Sequence, residues 1–144
     1  SESRGVADRV FCLAGVPDAD LPALYNLATL YVGVSRQAGL HVEGFGISLL
    51  EASASGVPVV AGRSGGIPDE VRDGEKGLLV DAEDHVALAG TIRRMLGDGA
   101  LLRRLGEGGR AAVESWYNWD RVVRDLAEIT RELAVPARAP RARR

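Results

Sequence analysis

The chain has 144 residues, 46% of them hydrophobic, which suits one ordinary domain with a core of its own. No apolar run approaches the ~20 residues of a membrane span, none reads as a signal peptide, and the single cysteine, Cys12, excludes a disulfide within the chain. The formal net charge is −2, yet the last nine residues (PARAPRARR) hold four arginines and no acid, leaving −6 on residues 1–135, an acidic balance that argues against a nucleic-acid-binding domain.

Taken in order, residues 9–15 (RVFCLAG) form a short continuous apolar run and predict a buried strand, with Cys12 as a small core residue. The segment DADLPALYNLA follows, with Asp18 or Asp20 as a cap and Leu21, Leu24, Tyr25 and Ala28 at helical spacing. Residues 30–34 (LYVGV) predict a second buried strand and SRQAGLHVE a loop. A helix is expected over residues 46–55, closed by Gly56. A third strand follows at 57–61 (VPVVA), then a GRSGG loop, a short helix opened by Pro68, and a fourth strand at 76–80 (KGLLV). Three amphipathic helices complete the pattern over 85–96, 100–116 and 118–133. Buried strands alternating with helices mean an α/β fold with a Rossmann-like parallel sheet and flanking helices. Ligands of such sheets bind beyond the carboxyl ends of the strands, where the loops after Val34 and Ala61 lie.

The helix over 46–55 opens on Glu43-Gly44-Phe45-Gly46, without the Ser, Thr, Asp or Asn that usually caps such an end. The amides of Gly46, Ile47, Ser48 and Leu49 are therefore expected to be unblocked and partly positive, which suits a phosphate. On a 100° wheel Glu51 shares a face with Ile47, Leu50 and Ala54, so a carboxylate projects among apolar side chains. Three readings stay open for it: a salt bridge to an arginine, an exposed helix face, or an acceptor for the two hydroxyls of a ribose. One helical turn (~5.4 Å) separates Ile47 from Glu51. A diphosphate at the helix start would leave its ribose beside Glu51 and its second substituent near Glu43, which describes a nucleotide sugar.

Glu43 and Glu51, separated by seven residues in EGFGISLLE, resemble the E-x7-E motif of retaining GT-B glycosyltransferases of family 4 (group 1). The A-x-A-x-G-V-P-V-V-A segment, Gly65-Gly66 with Pro68 and Glu70, G-L-L-V and LYNLATLYVGVSR extend the resemblance from about Val6 to Glu132. Within that family, VEGFGISLLEA after an SR-containing loop looks most like actinobacterial GDP-mannose-dependent phosphatidylinositol mannosyltransferases. The resemblance implies that Glu51 holds the donor ribose and that the backbone from Gly44 through Phe45, Gly46, Ile47 and Ser48 to Leu49 holds the diphosphate. It further implies that Glu43 contacts the transferred sugar as the catalytic-site acid, and that Ser35 and Arg36 fall near the base. A nucleotide-diphosphate sugar is then the substrate, with no cofactor and no metal. The implied chemistry is hexosyl or mannosyl transfer to a lipid or glycan acceptor, by front-face attack assisted by the leaving phosphate. A non-catalytic nucleotide-binding module or a nucleotide-sugar epimerase of the same fold is the alternative.

The family's donor domain opens with a G-R-x-x-x-x-K-G loop that has no counterpart here, since the only lysine is Lys76. The chain is accordingly expected to be the incomplete C-terminal, donor-binding domain of a GT-B enzyme (residues 1–134), without its N-terminal acceptor domain, followed by a basic disordered tail (135–144). Alone it should bind donor weakly and transfer nothing. A cytoplasmic setting is expected, with Arg138, Arg141, Arg143 and Arg144 offering contact with an anionic membrane surface.

Overall fold

A computed structural model describes residues 5–35 and 44–134. Strands β1 (Tyr31–Gly33), β2 (Val59–Gly62) and β3 (Gly77–Val80) form a parallel sheet in the order β1-β2-β3. Tyr31 lies beside Val59, and Val59 beside Gly77. The helices are α1 (Leu21–Leu27), α2 (Ile47–Ala54), α3 (Ile67–Glu70), α4 (His85–Leu96), α5 (Gly99–Ser115) and α6 (Trp119–Leu133).

The sheet follows from the composition of its middle strand. All four residues of β2 are buried, so both faces must be covered by apolar elements. Val59 packs on one side with Leu49 and Ala52 of α2, and with Ile67 and Val71 around α3. Val60 packs on the other with Leu78 and Val80 of β3, Met95 of α4 and Leu105 of α5. Helix boundaries follow local chemistry. Gly56 adopts φ +74° just after α2. Asp84 accepts from the amides of Val86 and Ala87, Asp98 from that of Leu101, and Asn118 from that of Arg121, which starts α4, α5 and α6.

Helix α5 also reaches α2, and it does so through a glycine. A Cβ on Gly106 would stand 2.3 Å from the carbonyl oxygen of Gly56, so the two backbones touch where any side chain would separate them.

Two expectations are corrected. Residues 9–15 form no strand: a 3₁₀ turn covers Ala7–Arg9, and Val10, Phe11 and Leu13 are 51%, 83% and 67% exposed. Cys12 is exposed with them rather than buried. A strand needs a ladder partner, and among the described residues none of the three strands pairs with this run. Helix α6 has the expected amphipathic pattern but buries none of its residues; Trp119 is 80% exposed and Leu133 73%.

Candidate functional site

The carboxyl ends of β1 and β2 meet the start of α2. Gly66, in the loop after β2, lies so close to Gly44 that a Cβ there would sit 2.4 Å from the Gly44 carbonyl oxygen. This approach brings the segment leading into α2 against the loop after β2.

The tip is less vacant than the sequence suggests. Both carboxylate oxygens of Glu70, which is 4% exposed, accept from the Gly46 amide at 3.0 and 3.1 Å. The Ile47 amide donates to the Phe45 carbonyl, and that of Leu49 to the Gly46 carbonyl. Of the four amides expected to be unblocked, only that of Ser48 is not engaged in this way among the described residues. The physical reason is that a carboxylate at a helix start satisfies a backbone donor and complements the macrodipole at once. Glu70 thus takes the capping role that the glycines leave open. Glu70→Ala is expected to lower stability by about 1–3 kcal/mol, because a buried N–H loses a charged acceptor. The urea midpoint should fall accordingly, with Glu70→Gln in between, since its amide oxygen can still accept.

Glu51 sits one turn along α2. The buried residues of this helix are Leu49, Ala52 and Ser53, so the face that Glu51 shares with Ile47, Leu50 and Ala54 is turned away from the core, which is the exposed-face reading of the three left open. Small Ala52 and Ser53 let the helix pack closely, and Ser53 meets Gly109 of α5. Ile47 is 62% exposed, and Glu51 is exposed with it. No arginine among the described residues pairs with Glu51; its partner is the Tyr25 hydroxyl, which donates to Oε2 at 2.8 Å. Burial first, then the bond to Glu51 and the charge of that carboxylate, hold the Tyr25 phenol well above the ordinary tyrosine range. The two side chains share an open cavity of about 490 Å³ with Asp18, Leu21, Pro22, Ala54 and Ser55.

The other anticipated residues divide into two groups. Phe45 is half exposed, with its ring 6.2 Å from that of Tyr117 between α5 and α6. Ser48 is exposed, whereas the Leu49 side chain belongs to the core. The Ser35 backbone lies against Gly62 at the end of β2, and Ser35 is not among the residues lining the cavity beside Glu51. Glu43 and Arg36, and with them the tail arginines, lie outside the described residues. Two residues carry parts of the site that the sequence did not assign. Tyr25 reads only as an apolar position of a helix, and Glu70 only as part of a motif.

Residues 1–112 match the family model described as Glycosyl transferases group 1. The chain belongs to this family. Among curated glycosyltransferases it is 40% identical over 129 residues to the GDP-mannose-dependent alpha-(1-6)-phosphatidylinositol monomannoside mannosyltransferase of Mycobacterium tuberculosis, covering 88% of this chain and 34% of that protein. It is 40% identical over 125 residues to the D-inositol 3-phosphate glycosyltransferase of Salinispora tropica, covering 87% of this chain and 25% of the relative. The fold matches the crystal structure of Anabaena Alr3699/HepE in complex with UDP-glucose, with a TM-score of 0.80 at 25% identity over 92% of this chain and 35% of that one. The group 1 chain described here therefore spans between a quarter and about a third of the length of these proteins. The α/β architecture with its parallel sheet is that of GT-B glycosyltransferases. Among the described residues no helix is long and apolar enough to cross a membrane.

Proposed function

We propose that this chain is the donor-binding part of a retaining glycosyltransferase that transfers a hexosyl group, mannose in particular, from a nucleotide-diphosphate sugar. GDP-mannose is the donor favoured by the likeness to the mycobacterial mannosyltransferase. The observation that carries the reading is Glu51: an exposed carboxylate, anchored at one oxygen, on the wall of a cavity one turn from a glycine-flanked helix start. A carboxylate so placed can accept both hydroxyls of a ribose while the diphosphate lies over the α2 tip. With the helix start already capped by Glu70, the tip offers the Ser48 amide and hydroxyl as the donors that stabilise charge on the departing diphosphate. Glu43, eight positions before Glu51 in the chain, is assigned to the transferred sugar.

The relative named for a phosphatidylinositol acceptor suggests a lipid acceptor here as well. The four arginines of the tail then serve as a contact with the anionic membrane surface at which such an acceptor sits. Calorimetric titration with GDP and UDP tests the donor assignment. Tighter binding of GDP is expected, and equal binding or a preference for UDP removes the mannosyl assignment.

A further inference from the structure

An exposed glutamate on a helix samples many rotamers, and fixing one for a ligand costs free energy of the order of that lost when any long polar side chain is ordered. Glu51 is not left in that state. Tyr25 reaches it from α1, which is 26 residues away in sequence and packed beside α2. The tyrosine is itself held: its ring is 5.8 Å from that of Tyr31 on β1, inclined by 59°, and it packs against the cluster containing Leu49 and Ala52. The hydroxyl has one proton and an ionised carboxylate has none, so Tyr25 is the donor. That bond takes one acceptor position of Oε2, and the side chain that carries the remaining acceptor positions lines the cavity. Two acceptor sites with one orientation are what a pair of vicinal hydroxyls requires.

We infer that Tyr25 is a positioning residue for Glu51, holding its carboxylate in the orientation that accepts the ribose hydroxyls of a nucleoside diphosphate in the cavity between α1 and α2. The inference rests on the ribose role proposed for Glu51 and adds the group that makes the role selective. It separates two contributions that a contact alone would merge. Glu51 supplies the acceptors, and Tyr25 determines how well they are aimed.

The test is a set of dissociation constants measured by NMR titration of the 144-residue chain, using GDP and 2′-deoxy-GDP, with UDP and 2′-deoxy-UDP in parallel. The unmodified chain is expected to favour the ribose form about tenfold or more, the loss that follows one missing hydrogen bond to a charged group. Tyr25→Phe keeps the ring and its packing, and is expected to bring that preference to about threefold or less while leaving the deoxy affinity unchanged. A purely structural role would weaken both forms equally, and a preserved ratio would overturn the inference. Glu51→Gln separates the two levels. If it abolishes the preference and Tyr25→Phe does not, only the positioning role fails. If the unmodified chain shows no preference, or Glu51→Gln preserves it, the ribose reading fails and the inference with it.

Discussion

Glu51→Ala is expected to weaken nucleoside diphosphate binding by about 10- to 100-fold while hardly moving the thermal midpoint. The affinity term comes from losing hydrogen bonds between a charged acceptor and two hydroxyls, each stronger than a neutral pair. The stability term is small because the carboxylate is exposed and its one partner within the described residues is the Tyr25 hydroxyl, on the rim of an open cavity. That hydroxyl can turn to water, so the cost stays near or below about 1 kcal/mol. Calorimetry and a melting curve on the same sample separate the two quantities. An unchanged affinity would place the ribose elsewhere, and a large fall in the midpoint would make Glu51 a structural residue.

Gly106→Ala should act in the opposite sense, costing about 1–3 kcal/mol or more in stability with no direct effect on a ligand. Alanine is the better helix former by nearly 1 kcal/mol, so propensity alone predicts stabilisation. Contact decides the sign. The new Cβ would meet the Gly56 carbonyl oxygen at 2.3 Å and its carbon at 3.2 Å, and backbone cannot swing aside as the end of a side chain can. Helix α5 must withdraw from α2, which loosens the packing around the buried residues on both. Denaturant unfolding reads the outcome directly, and an unchanged or raised midpoint would show that the two helices part without cost.

The comparison of sequence with structure turns on the range of each signal. Helices α4, α5 and α6 and strands β1, β2 and β3 carry local signals: amphipathic period, caps and short apolar runs. They stand where the sequence places them, within a residue or two. The run at residues 9–15 has the same local signal and no ladder partner among the described residues, which composition cannot reveal. Within α5, Gly106 and Gly108 face the carbonyls of Gly56 and Glu75, a close passage of a second backbone that no local signal in the sequence marks. At the site, Glu51 was legible because a charge among apolar positions is conspicuous. Tyr25 and Glu70 were not, because their partners lie 26 and 24 positions away and depend on how α1 and α3 are set against α2.

The central strand has one more consequence. Val59 and Val60 are adjacent in sequence and entirely buried, yet they belong to cores on opposite sides of the sheet. A single peptide unit therefore joins the layer that carries α2 to the layer of α4 and α5. Losing the register of β2 would open both cores at once.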